Sequence, residues 1–598
     1  MKMLSPSRHL YEPYLIKGLL LVRAKLGRKS SSLLSNSATS IGSRPTADRA
    51  KERRRHFFED DEPFNYADHE RPLVPGSPGT PLHPPLRRLI YALTSLVAGM
   101  TGALGNGLVS ANLPYLQGAL GLNVSEIAWL PAVYLITNAV TGCILVKYRQ
   151  QFGIRSFCLI FLGLQTLLIG AHLLVGNLAS AILLRGASGV CGSAMGTLGV
   201  LYMVQAMSAK RRLAAVTLGL GIPQLALPIA WVIPKDFLAF GSWSGLYLFE
   251  FGLSLVSLGV VMVVRLPPTV RSPAFEPLDA VSFGLYASGI GLFGAAMGLG
   301  SYLWWTNAAW IGWCLAGSLP CLALFALIEF HRQRPLVDVR WLSAGTFVRW
   351  AVIAVICRVA QSEQAAGVIS MLRDFGLTND DFRTLTFVIL AGAAAGLFLS
   401  AFFISPSRLA ILVLVSLAFA STAAYLDSFS SLSTRAPQLV WSQAMMGAAT
   451  TMFFGPVFIF GLGRVLMRHG VGLTSFVAIF GITQSVGALV CNSLLQTYLF
   501  HAQQYHLTNF AVQTEKSDPA VMAATSVLSS QYLAVLTDPA LRGAQGVQAL
   551  SQQVILNARV AAYNDVYLAI SLAAAFGLLL LLGVVLITAF RQPRKSTP

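Results

Sequence analysis

The sequence predicts an all-α membrane protein of fourteen transmembrane helices, on three observations. Apolar residues make up 55% of the chain and charged residues only 11%, with a mean hydropathy of +0.63, far from the usage of soluble domains. From Leu89 onward apolar segments recur, each of roughly 19 to 27 residues and so long enough at ~1.5 Å per residue to cross ~30 Å of hydrocarbon. Basic residues fall in alternate short loops, which is the pattern of membrane topology. A net charge of +18 would suggest nucleic acid as partner in a soluble chain, but its confinement to tails and alternate loops excludes that reading.

Residues 1–87 differ in kind from the rest. They are polar and Ser-rich, with a basic run over 51–55, an acidic run over 59–62, and a proline-spaced linker from Pro72 to Pro85 that cannot hold a helix. Glu12, Lys17, Arg23 and Lys25 interrupt Leu10–Leu26, so this stretch is not a clean signal peptide. The region reads as a disordered cytoplasmic extension.

The expected spans are 88–112, 127–147, 155–176, 180–206, 213–234, 243–265, 279–300, 306–330, 346–371, 384–404, 408–427, 438–463, 472–498 and 565–590. Loop charge tests the count. One set of loops carries Lys147, Arg149 and Arg155; Lys210 to Arg212; Arg265 and Arg271; Arg332, Arg334 and Arg340; Arg408; and Arg464 and Arg468. The alternate set carries Lys235, Arg435, and an Arg373/Arg383 pair offset by Asp374, Asp380 and Asp381. The alternation requires an even number of helices and places both termini in the cytoplasm. Residues 499–564 read as a long polar loop on the outer side, either a docking or gating element or a tolerated insertion.

Ionisable groups at bilayer depth cost roughly 2.5–3.5 kcal/mol each on insertion scales, so those that survive are candidates for function. Four stand out: Arg185, Glu250, Arg358 and Glu363. Gln361 and Ser362, three and four residues after Arg358, share its helix face, whereas Glu363 points elsewhere. Glu250 and Glu363 are the proton-coupling candidates, because an acid that gains and loses a proton beside a water-filled cavity can drive antiport. The competing reading is a static interhelical pair, for example Arg358 with Glu250. Pro223, Pro228 and Pro234 in one span, with Gly219 and Gly221, predict a kinked helix. Gly192 with Gly196, and Gly392 with Gly396, form small-xxx-small faces suited to packing or hinging. Trp243, Trp304, Trp305, Trp310, Trp313 and Trp350 read as an interfacial belt, and His172 as structural.

Seven cysteines, all within apolar stretches and without metal-ligand spacing, read as small buried hydrophobes. Phosphate-binding loops, zinc-protease helices and nucleophile elbows are missing from the sequence, so neither enzymatic activity nor a cofactor is expected.

Several motifs carry a family resemblance. Leu104 to Pro114 matches the frame of an L-D-x-T-I-x-N-V-A-I-P-like first-helix motif, with Gly105 at the acid's position. Trp129, Asn138, Gly142 and Phe152–Arg155 resemble a second-helix and loop signature, Arg185 with Gly189 an R-x-x-Q-G motif, and Ala209–Arg211 a turn before the fifth helix. Gln224–Pro234 keeps the prolines of an antiporter motif without its glycines. Asp279, Pro335–Asp338 with Leu342, and Ala562–Asp565 match later signatures. Together, over roughly residues 88 to 595, they resemble the fourteen-helix EmrB/QacA drug:proton antiporter branch of the major facilitator superfamily.

The resemblance implies two six-helix lobes, 88–265 and 346–595, joined through two linker helices and a loop over 266–345. It implies alternating access, proton-driven export of an amphipathic drug or organic anion across a bacterial inner membrane, and a periplasmic adaptor with an outer-membrane channel as partners. Asn106, Asn112, Arg185, Arg358 and Gln361 are then candidates to line the substrate cavity, and Pro223, Pro228, Gly192 and Gly196 to pack or hinge. The two arginines suit a carboxylate-bearing substrate. A non-transporting membrane receptor or assembly protein, and a lipid or lysolipid flippase, are the alternatives.

Overall fold

The computed structural model describes residues 70–72, 74, 76–233, 244–468, 470, 472–514 and 518–590. The expectations for residues 1–69, and those for Pro234, Lys235 and Trp243, lie outside them.

Fourteen helices among the described residues are long and apolar enough to cross a bilayer. They are α1 (Pro85–Ala111), α2 (Val124–Phe152), α3 (Ile154–His172), α4 (Leu178–Ala206), α5 (Ala209–Val232), α6 (Ser244–Val263), α7 (Leu278–Leu303), α8 (Ala309–His331), α9 (Phe347–Asp374), α10 (Arg383–Phe403), α11 (Leu409–Asp427), α12 (Ala436–Met467), α13 (Leu473–Val512) and α14 (Pro539–Ile587). The chain is a multi-pass membrane protein.

Local chemistry sets where helices start and bend. A capping box opens α2: Asn123 accepts from the Glu126 amide (2.8 Å) while Glu126 accepts from the Asn123 amide (2.9 Å), satisfying two free donors. Asn177 caps α4 through the Ser180 amide. In α5 a 3₁₀ turn over Ile222–Leu225 marks the expected kink at Pro223, whose ring lies 3.6 Å from the position of a Cβ at Gly99 of α1. Two π-helical turns, Glu363–Val368 in α9 and Ile482–Val486 in α13, interrupt otherwise regular spans, a feature common at functional sites.

Glycines permit the closest approaches. The carbonyls of Ala444 and Ala448 in α12 occupy the space of a Cβ at Gly392 and Gly396 of α10, so these two glycines pack helix on helix. Gly192 abuts the Tyr134 hydroxyl of α2, but Gly196 faces open space. Of the expected Gly192/Gly196 face, both glycines border a cavity, and Gly192 alone also packs on α2.

Helix α1 packs on α4, α5 and α6, and α3 on α4 and α6; α10 packs on α12, and α14 on α9, α11 and α13. Two seams join these groups: α5 against α10 and α12, and α2 against α13. Gly142 meets Val477 and Gly481 meets the Ala139 carbonyl along the second seam. The α7/α8 pair lies against this seam through contacts of α7 with α2 and α13. Only 17% of the apolar window of α8 is buried in protein, so its remaining surface is left for lipid.

The face bearing most basic loops, here called the basic face, is tied by ion pairs. Lys147 Nζ meets Asp279 at 2.6 Å, and Arg332 bridges Asp279, Glu276 and Glu329, each at 2.8 Å. Asp338 pairs with Arg468 at 3.3 Å and its amide donates to Ser475 Oγ. The end of the linker also folds here as a strap. Gln205 of α4 donates to the Gly79 carbonyl (2.8 Å) and bonds His83 (3.0 Å), Arg212 of α5 bonds Thr80, and Gly76 abuts Gln150.

Residues 499–564 differ from the expected polar loop. Helix α13 runs on to Val512, a short helix spans Pro519–Ser530, and α14 begins at Pro539. Gln- and Ala-rich sequence favours helix however polar it is, so polarity marks an extramembrane helical projection. Its base is fixed by His506 to Asp565 (2.7 Å), by Arg559 and Tyr563 to Asp374 (2.7 and 2.5 Å), and by Asn564 to the Ser430 carbonyl (2.8 Å). Trp350 departs from the belt reading: it is 5% exposed, packs on Phe347, Phe476 and Phe480, and donates to the Val457 carbonyl.

Candidate functional site

A cavity of about 820 Å³ runs between the two helix groups, walled by α1, α2, α4 and α5 on one side and α9, α12 and α13 on the other. That volume suits a drug-sized molecule. Thr80 of the strap, Arg149 and Arg212 line its basic-face end, and Arg373 its opposite end. There Arg373 Nη2 and Asn379 Nδ2 donate to the Ala111 carbonyl of α1, at 2.8 and 3.3 Å, closing one group onto the other.

Of the residues expected in the cavity, Asn106, Arg358 and Gln361 line it, with Pro223, Pro228, Gly192 and Gly196 in its walls. Arg358 Nη1 donates to Gln361 Oε1 at 2.5 Å, as their three-residue spacing requires, and the arginine stem crosses Gly487 of α13 at 3.7 Å from its Cβ position. No carboxylate among the described residues forms an ion pair with Arg358, so the static Arg358–Glu250 pair is not formed.

Arg185 and Asn112 do not line the cavity, which corrects their expected place. Asn112 turns back to donate to the Leu108 carbonyl (2.9 Å) at the end of α1. Arg185 is 2% exposed, behind the wall. It donates to Asn106 Oδ1 (2.9 Å) and the Gly105 carbonyl (3.3 Å) and lies 4.9 Å from the Tyr134 ring, so its charge is spread over neutral acceptors and an aromatic face.

Glu250 of α6 is buried beside this arginine, and its Oε2 lies 3.1 Å from where a Cβ on Gly105 would sit. Its Oε1 has no hydrogen-bond partner among the described residues. The carboxyl thus fills the volume next to the one first-helix position where the family motif carries an acid. His172 stacks on Tyr247 of α6 at 4.7 Å and bonds the Leu168 carbonyl at 2.7 Å.

Glu363 heads the π-helical turn of α9 and is fully buried, away from the cavity. Sequence reasoning missed its partners. Gln443 of α12 donates to both Glu363 oxygens (3.2 Å each) and to Asp427 of α11 (2.8 Å), and Ser442 donates to the other Asp427 oxygen. Asp427 is 1% exposed. It was overlooked because it ends its span, where an acid ordinarily reaches water. Two carboxyls met only by neutral donors make a site able to hold and release a proton.

No family model matches the chain. Over 283 residues, 45% of this chain and 49% of the relative, it is 26% identical to the efflux pump FUS6 of Gibberella fujikuroi. Over 279 residues, 46% of this chain and 53% of the relative, it is 23% identical to the major facilitator superfamily multidrug transporter mfsC of Aspergillus fumigatus. The chain thus spans about half the length of the curated relatives it matches. Among solved structures, it aligns with a bacterial homologue of the human drug peptide transporters PepT1 and PepT2 at 12% identity and a TM-score of 0.48, covering 84% of this chain and 100% of that one.

Proposed function

We propose that the chain is a secondary transporter of the major facilitator type, exporting amphipathic organic compounds in exchange for protons. The observation that carries the reading is the cavity between two helix groups that touch along two seams and are clasped at one end. Rocking about the α5/α10–α12 and α2/α13 seams would break the clasp of Arg373 and Asn379 on Ala111 and close the basic-face end in turn, so the cavity would open alternately to either side.

Buried acids supply the coupling in this reading. Glu250 stands where its proton can be traded against Arg185 as α1 and α6 shift, and Glu363 with Asp427 forms a second store on the other side of the cavity. We place the basic face in the cytoplasm and the α13–α14 projection on the outer side, following the loop charges; the bacterial inner membrane follows from the motif resemblance alone. A periplasmic adaptor and outer-membrane channel would meet that projection.

Reconstituted vesicles test the proposal. A fluorescent amphiphile should move against its gradient when a proton gradient is imposed, and Glu250→Gln should leave binding intact while abolishing the response to the gradient. Movement of no amphiphile under any gradient would overturn it.

A further inference from the structure

We propose that the cavity is built for amphipathic carboxylates, with the Arg358 region holding the carboxylate; this rests on the transport reading above and specifies its cargo. The first ground is the sign of the walls. Four arginines line the cavity, Arg149, Arg212, Arg358 and Arg373, and among its described lining residues there is no aspartate or glutamate. The acids within the spans, Glu250, Glu363 and Asp427 among them, do not line it. A cationic cargo would meet only like charge.

The second ground is a set of unused donors among the side chains that line the cavity. Arg358 Nε, Gln361 Nε2, Gln364 Nε2 and Gln484 Nε2 are buried without hydrogen-bond partners among the described residues, and all four side chains line the cavity. A buried donor left unmet costs about 1–3 kcal/mol, so four of them on side chains lining one cavity suit an acceptor-rich ligand. Two of these donors sit on irregular backbone. Gln364 sits on the π-helical turn of α9 and Gln484 on that of α13. Each such turn shifts the helical register, and both glutamines line the cavity that Arg358 lines. The bond from Arg358 Nη1 fixes Gln361 Oε1, which leaves its amide nitrogen to donate. A carboxylate offers about four lone pairs to a planar fork and flanking N–H groups.

The third ground is an apolar surface next to this set. Phe480, one turn before Gln484 on α13, packs edge-on against Phe454 and Phe458 at 5.5 and 5.0 Å, and all three line the cavity. A ligand with its carboxylate at Arg358 would lay an aromatic or aliphatic body on these rings.

Calorimetry on the full chain in phosphatidylcholine nanodiscs, with 2-naphthoate and its neutral isostere 2-naphthamide, reads the proposal directly. Naphthoate should bind about 10- to 100-fold more tightly than naphthamide, the range for a hydrogen-bonded charge pair. Arg358→Gln should remove that preference and Arg358→Lys keep part of it. Gln484→Leu, which leaves the cation in place, should weaken naphthoate more than naphthamide. Equal binding of the two ligands, or a preference that survives Arg358→Gln in a monodisperse preparation, would overturn the assignment. So would loss of naphthoate binding on adding phosphatidylglycerol, which would give the site to a lipid headgroup. The two readings fail separately: export of neutral amphiphiles without a carboxylate preference sinks only this one, whereas carboxylate binding without movement in vesicles sinks only the transport reading.

Discussion

At Gly105 a hydrogen atom stands where the related motif has an acid, and Glu250 reaches across from α6 to fill the space left by the missing side chain. The two positions are 145 residues apart, so an acid lost from one helix and present on another becomes one feature only when the helices pack. A swap tests the equivalence: Gly105→Asp combined with Glu250→Ala should retain proton-driven transport, while Gly105→Asp alone should impair it, since two carboxyls would then compete for one volume. The Gln443 amide makes a sharper prediction about stability. Gln443→Leu strands oxygens of both Glu363 and Asp427, and thermal unfolding in detergent should show a loss of about 1–3 kcal/mol, whereas Gln443→Glu with a shared proton should recover part of it. The sequence made the Arg358–Gln361 contact legible because residues three apart on a helix share a face. It could not show Asp427, whose partners Ser442 and Gln443 lie on another helix, nor that Arg185 spends its donors on the Gly105 carbonyl and the Asn106 side chain of α1.

Whole helices were the most legible features, since a run of apolar residues of membrane length leaves few other structures to form. Their ends were less so. The polar half of α14 was indistinguishable from a loop by hydropathy, because hydropathy records the solvent and not the backbone conformation. The small-xxx-small faces show the same limit: the spacing identifies a face but not what it meets. Gly396→Ala should lower stability by about 1–3 kcal/mol, as overpacking against a neighbouring backbone does, because the Ala448 carbonyl already fills that position. Gly196→Ala should change stability by less than about 0.5 kcal/mol, since nothing lies within 4 Å of the added carbon. Comparing thermal unfolding of the two variants separates a packing face from a cavity wall within one motif class.

For the whole molecule, the proline-spaced segment read as a linker proves to be part of the cavity rim. Prolines exclude helix but not order, and Gln205, Arg212 and Gln150 supply the contacts that the segment lacks internally. His83 makes its docking sensitive to pH. Burial, aided by the charges of Arg87 and Arg88 and opposed by the bond to Gln205 and by Glu70, holds its imidazole below the ordinary 6.5, with the tilted Tyr91 ring at 4.8 Å. The undocked segment therefore binds a proton more readily than the docked one. Docking is full above pH 6.5 and weakens as pH falls through that value toward the lowered one. A spin label on Ser77→Cys should become more mobile over this interval, and His83→Gln should remove the dependence.

The strap also makes the rim of the mouth continuous with the chain that precedes residue 70. A pull on the strap is borne by its bonds to Gln205 and Arg212. The strap is in that sense a drawstring. Its tension would set how often the mouth opens while leaving untouched the affinity of the cavity behind it.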